Sequence, residues 1–237
     1  MWIALGAAVV GLLAPVVVVL LPPRAVLAVL GVNQPPKALF YATDRPHRVA
    51  LTIDDGPAGI ETEAILDVLR EHGARATFFV IGDRVPTYER VLERIRDEGH
   101  ELGNHTMHER ASILVPRAEL GADMAAAHDI LAAYDEVRWF RPGSGFYDDD
   151  IVRLAAANGY RLAIGDVFPF DALVKSSAFH AWYVLHHVRP GSVIILHEAG
   201  ARGWRAADTL RTILPRLRAR GLEVVTLSGL VAPRPGS

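Results

Sequence analysis

The distribution of apolar and polar positions divides the chain into two unlike parts. Residues 2–21, WIALGAAVVGLLAPVVVVLL, contain no charged side chain, and about 20 apolar residues are what a helix needs to cross a bilayer. After a linker containing NQPPK, short apolar runs alternate with amphipathic stretches. RVALTI (48–53), ATFFVIG (76–82), HELGNH (100–105), RWFRP (138–142), RLAIGD (161–166), SVIILH (192–197) and EVVTLS (223–228) read as strands, being short and mostly rich in β-branched or aromatic residues. Between them lie helical patterns: ETEAILDVLREHG, with Ile65, Leu66 and Leu69 on one face and Gly73 as its stop, PTYERVLERIRDEG, and the segments 116–133, 148–159, 178–188 and 204–220. Strands alternating with helices imply parallel pairing, because a crossover helix returns the chain to the same edge. A barrel and an open doubly wound sheet both satisfy that pattern.

Length and charge narrow the classes. The 237 residues suit one large α/β domain. We place a membrane anchor and linker at 1–36 and the globular domain at 37–237. A cleaved signal peptide begins with basic residues and carries a shorter apolar core; here the first basic residue is Arg24, so an uncleaved single-pass anchor with a kink at Pro15 is expected. A second apolar run, AVLAVLGV (25–32), is expected at the membrane interface. Arg24, Lys37, Arg45 and Arg48 follow the anchor and, by the positive-inside tendency, favour a cytoplasmic domain. The 25 basic against 27 acidic residues leave no field for nucleic acid. There is no cysteine, so any metal must be held by His, Asp or Glu.

The candidate chemistry lies at strand ends. Asp54, Asp55, His105, Arg141, Asp166 and His197 fall at or just past the C-terminal ends of expected strands, the edge where parallel α/β folds build their sites. Adjacent carboxylates on an extended segment point to opposite sides, so Asp54 and Asp55 can take different roles, one ligating a divalent cation that relieves their repulsion. If GNHTMHE turns helical, His105 falls on one face with His108 or Glu109, at i+3 and i+4. Asp55, His105 and one of these make three protein ligands with an open position, which leaves Asp54 to take a proton from water. His197, ending SVIIL, suits a general acid. Arg141 suits a carboxylate partner within GDVFPFDA, and the glycines of RPGSG suit an oxyanion. His128, His180, His186 and His187 sit on helical segments as packing or solvated residues.

The series TIDDGP, GNHTMH, FRPGSG, the aspartate of DVFPFDA and ILH, across residues 48–230, resembles the NodB-type polysaccharide deacetylases, carbohydrate esterase family 4. The resemblance implies a distorted (β/α) barrel of about seven parallel strands and a divalent metal, usually zinc, with cobalt or manganese in other members. It implies hydrolysis of the acetamido group of N-acetylated sugars, with Asp54 as base, Asp55 and His105 as metal ligands, His197 as acid, and an Arg141–Asp171 pair supporting the base. Two positions depart from the family pattern His-(Ser/Thr)-x-x-His and Arg-Pro-Pro-Tyr. Glu109 stands where the second histidine belongs, with His108 one residue earlier, which leaves the third ligand open between them. Gly143 and Ser144 follow Arg141 and Pro142, so the family's aromatic is missing there, and Trp139, Tyr147 or Trp204 could supply a sugar-stacking surface instead. A membrane-anchored deacetylase of an N-acetylated glycan is the first expectation. Alternatives are a deformylase or deacetylase of a lipid-linked sugar and a non-catalytic glycan-binding membrane protein.

Overall fold

The computed structural model describes residues 23–30 and 38–233; the apolar stretch 2–21 lies outside them. Within the described residues no helix is long and apolar enough to cross a membrane. Seven strands form one sheet: β1 Arg48–Gly56, β2 Thr77–Val80, β3 Glu101–Asn104, β4 Trp139–Phe140, β5 Arg161–Leu162, β6 Val193–His197 and β7 Glu223–Val225. Their order is β5-β4-β3-β2-β1-β6, with β7 pairing the start of β1, and every pair is parallel. Residues 39–41 link the two outer strands: Leu39 bridges Ala163 beyond β5, while Tyr41 bridges Ser192 before β6. These links curl the sheet into a distorted barrel and remove free edges that would otherwise recruit other chains.

The helices are α1 Pro23–Leu30, α2 Ile60–His72, α3 Glu89–Asp97, α4 Arg117–Leu131, α5 Asp149–Ala157, α6 Ser177–His187, α7 Ala201–Ala219 and the short α8 Leu227–Val231. Local rules explain their bounds: Gly73 ends α2 in the left-handed region at φ 62°, and Asp148 and Ser176 cap α5 and α6 through their side chains. The alternation along β1 separates two cores. Leu51 and Ile53 face the helices with Ile65, Leu66, Leu69 and Leu92, all buried, and each such side chain contributes roughly 1.5–3 kcal/mol. Ala50 faces the barrel interior with Phe79, Trp139, Ala163 and Val193, and Leu227 and Leu230 of α8 plug the bottom. Thr52 and Asp54 continue that inward face upward, and this parity brings a carboxylate to the mouth of the barrel.

Helix α1, within the segment expected as anchor and linker, is docked on the barrel. Arg24 Nε lies 2.7 Å from Asp166 Oδ2, and its Nη2 donates to the Pro190 carbonyl at 3.0 Å. Asp166 also accepts from Val193 N at 2.7 Å, where β6 begins. Asp166 therefore sits at the bottom of the barrel, which corrects its expected position at the catalytic edge.

Candidate active site

The site is built on the C-terminal ends of β1, β3, β4 and β6 and the loop after β5. Register places Asp54 opposite His197 across β1 and β6. Asp54 Oδ1 accepts from Arg141 Nη1 at 2.5 Å, and the same Nη1 lies 2.8 Å from Thr52 Oγ1. Arg141 Nε donates to the Ala163 carbonyl at 3.0 Å, and its guanidinium lies over the Phe79 ring, 4.1 Å from the centroid. Both members of the Arg141–Asp54 pair are buried, with side chains 3% and 4% exposed, so the orientation of Asp54 is fixed from behind by hydrogen bonds and packing together.

His197 forms the second arm. Its backbone N–H donates to Asp171 Oδ2 at 2.8 Å, and its Nδ1 faces Asp171 Oδ1 at 2.9 Å. The carboxylate accepts that Nδ1 proton, which turns Nε2 toward Asp54 Oδ2 at 4.0 Å. Burial disfavours the imidazolium, but the hydrogen bond and charge of Asp171, with the charges of Asp54 and Asp55, outweigh it and raise the His197 pKa to about 8. The expected Arg141–Asp171 pair is thus two separate pairs, Arg141 on Asp54 and Asp171 on His197, since Asp171 arrives beside β6, across the site from Arg141.

Asp55 departs from the extended backbone expected for it. It sits at φ 66°, at a register shift between Asp54 and Gly56, and its Oδ1 lies 3.4 Å from His105 Nε2. Burial tends to raise its pKa, yet the hydrogen bond and charge of His105 and the charges of His197 and Arg202 hold it far below the usual carboxylate range. His105 Nδ1 lies 2.7 Å from the Arg141 carbonyl, an atom that only accepts, so Nδ1 keeps its proton, and the Nε2 proton shared with Asp55 is the one that a bound cation would replace. With that proton gone, Nε2 and Asp55 Oδ1 are two donor atoms 3.4 Å apart, residue types that ligate divalent metals.

The segment after His105 does not become helical; Thr106 adopts φ 72° and the chain bends through 107–110. This corrects the basis on which His108 and Glu109 were expected to share a face with His105. His108 is half exposed and turned to Asp83 at 3.0 Å. Glu109 lies toward the site, 2.5 Å from Arg84 Nη2 and 3.8 Å from Arg202 Nη2. Among the described residues no three His, Asp or Glu side chains are clustered closely enough to hold a metal, and the guanidinium of Arg202 stands between Asp55 and Glu109.

Other expectations resolve simply. Gly143 N donates to Ser112 Oγ at 2.8 Å and Gly145 N to the Pro142 carbonyl at 2.9 Å, so these amides are engaged in the turn and not free for an oxyanion. Trp139 is buried in the barrel and Tyr147 packs beside Phe40, whereas Trp204 remains exposed near the mouth. His128 contacts Tyr160 Oη and His180 contacts the Val174 carbonyl, as packing residues. Sequence reasoning missed Arg84, Glu198 and Arg202. Glu198 is wholly buried, and burial pushes its pKa up to about 8. An arginine in the first turn of α7 opposes the helix dipole, a local signal of an acidic partner nearby.

The site thus gathers a buried Asp54–Arg141 pair, an Asp171–His197 pair facing it, and Asp55 beside His105 at the mouth of a parallel α/β barrel. The polysaccharide deacetylase family profile matches residues 41–163, and the chain belongs to that family, a class of hydrolases acting on carbon–nitrogen bonds other than peptide bonds. It is 31% identical over 186 residues to a peptidoglycan-N-acetylglucosamine deacetylase of Bacillus cereus, covering 77% of this chain and 87% of that protein. It is 37% identical over 200 residues to a chitooligosaccharide deacetylase of Sinorhizobium fredii, covering 76% of this chain and 89% of that one. Among solved structures, a peptidoglycan N-acetylglucosamine deacetylase superposes with a TM-score of 0.77 at 30% identity, over 81% of this chain and 91% of that chain. A family pseudoenzyme from Bacillus anthracis shares the fold, with a TM-score of 0.76 at 23% identity, over 84% of this chain and 70% of that chain.

Proposed function

We propose that the chain removes acetyl groups from N-acetylated sugars of a poly- or oligosaccharide, with Asp54 as general base and His197 as general acid. The observation that carries this reading is the pair of arms: Asp54 held by Arg141 and His197 held by Asp171, facing each other across 4.0 Å. The substrate class is supported by the relatives, named for deacetylation of peptidoglycan and of chitooligosaccharides.

The chain's own residues divide the reaction. Arg141, itself held by Thr52 Oγ1, orients Asp54, which takes the proton from the attacking water. The carboxylate of Asp171 keeps His197 protonated near neutrality, so that Nε2 can deliver a proton to the departing sugar amine. Asp55 and His105 would hold a divalent cation, which when bound supplies Lewis-acid polarisation of the acetamido carbonyl. One carboxylate and one imidazole as donors suit zinc first, with cobalt or manganese as alternatives. In the same reading residues 2–21 anchor the chain as a single-pass membrane protein, supported by their lack of charge over a span length.

A second reading, glycan binding without turnover, is favoured by one observation, the Arg202 guanidinium on Asp55. Incubation of the metal-supplemented full chain with N-acetylglucosamine oligomers, read by mass spectrometry, separates them. New free amines support the deacetylase, and unchanged oligomers that nonetheless bind support the second reading.

A further inference from the structure

Helix α1 marks a second face of the barrel, opposite the catalytic mouth. Its Arg24 reaches Asp166, Ser192 and the Pro190 carbonyl and lies over the Tyr41 ring, 4.2 Å from the centroid, so the helix is fastened where β6 begins. Leu27 packs against the core. On its other side Val26 is 37% and Val29 87% exposed, an apolar stripe turned to solvent. Pro23 follows the uncharged run 2–21 by two positions, a reach of at most about 7 Å, so connectivity alone brings the end of that run to the bottom of the barrel. The mouth lies at the other ends of the strands, about 13 Å further on along Val193–His197.

The same face is basic. Arg45 donates to the carbonyls of Leu230, Val231 and Ala232, Arg189 to those of His186 and Val188, and Arg220 to that of Leu185. Hydrogen bonds to neutral carbonyls fix these guanidiniums without compensating their charge. Arg216 and Arg218 stand exposed in the last turn of α7, and the helix runs downward to this end before β7. Two acids of this face, Asp166 and Glu223, are each already paired, with Arg24 and Arg48. Basic side chains beside a membrane segment are drawn to anionic headgroups within a Debye length of the surface, and an exposed apolar helix stripe suits the boundary beneath those headgroups. We propose that this face, with the stripe of α1 and the arginines around it, lies on an anionic lipid surface, so that the catalytic mouth opens away from the bilayer. Asp54 and His197 then serve glycan that stands off the membrane, and a sugar held at headgroup level is out of their reach. The mouth carries exposed apolar side chains as well, Leu114, Phe146 and Leu173, but the run 2–21 joins the chain at the opposite end. This inference rests on the reading of residues 2–21 as a membrane anchor.

The chain has no cysteine, so single cysteines report one position each. The test places the full chain, as Val29→Cys, Phe146→Cys or Leu173→Cys with a bimane label, in phosphatidylcholine nanodiscs with or without phosphatidylglycerol, and reads quenching by nitroxide-headgroup lipid. Quenching at Val29 is expected to exceed that at Phe146 and Leu173 at least about threefold in the anionic discs and to weaken in the neutral ones. Arg216→Glu with Arg218→Glu, added to Val29→Cys, should remove the gain that anionic lipid gives. Stronger quenching at Phe146 and Leu173 than at Val29 overturns the inference by turning the mouth to the bilayer. Equal quenching at Val29 in both kinds of disc overturns the anionic surface. Weak quenching at all three positions, in chains that have entered the discs, overturns the inference and leaves the anchor reading intact. Failure of the full chain to enter discs overturns both.

Discussion

Asp54 Oδ1 and Arg141 Nη1 stand 2.5 Å apart with both side chains buried, and the rest of the site is arranged around that pair. Removing one partner of a buried pair strands the other charge, at a typical cost of about 3–5 kcal/mol. Arg141→Met is therefore expected to lower the denaturation midpoint strongly as well as to abolish turnover. Chemical denaturation of the purified variant checks the size of the loss.

Asp54→Asn keeps the shape and a hydrogen-bonding oxygen for Arg141 but removes the proton acceptor. General base contributions are typically about 10²–10⁴-fold, and a kcat loss of that order is expected. Metal affinity should remain, because Asp55 and His105 are untouched. Steady-state kinetics beside a Mn²⁺ titration measures both.

His197 acts as an acid only while protonated, so activity should fall as pH rises through about 8. Replacing Asp171 by Asn removes the hydrogen-bonded carboxylate that raises this pKa and leaves burial to lower it. The alkaline limb of the kcat/KM profile should therefore move to lower pH. Stability follows the same sign: a raised folded pKa contributes stability below the unfolded value of about 6.5, lost as pH climbs through about 8. Denaturation midpoints at pH 6 and 9 report that loss, and Asp171→Asn should flatten it.

Gly56 carries a close approach that its place in DDGP only hints at. A Cβ there would lie 1.5 Å from Glu198 Oε1 and 2.6 Å from its Cδ, and Glu198 is wholly buried. Gly56→Ala is expected to destabilise by about 1–3 kcal/mol, as overpacking does, and Gly56→Ala/Glu198→Ala should recover much of it. Thermal melts of the single and double variants decide this.

What the sequence revealed followed local pattern. Even the short HELGNH run formed β3 at Glu101–Asn104, and Asp54, Asp55, His105, Arg141 and His197 all reached one edge because parity and strand ends are local properties. What it hid depended on tertiary arrangement. The φ of 66° at Asp55 turns on the shift between β1 and β2, so adjacency alone misjudged where its carboxylate points. Asp171 and Asp166 are equivalent candidates in GDVFPFDA, and only the path of that loop along β6 assigns one to His197 and the other to Arg24. Arg202 belongs to a helix that reads as amphipathic, and its approach to Asp55 comes from the docking of α7.

The central claim is that Asp54 and His197 together release acetate from N-acetylated sugars. The most direct measurement is acetate release from N-acetylglucosamine oligomers by the wild type, Asp54→Asn and His197→Ala under identical metal supplementation. Release by the wild type that falls at least about 100-fold in each variant is the predicted result. No release by the metal-supplied wild type, or undiminished release by Asp54→Asn, would contradict the account.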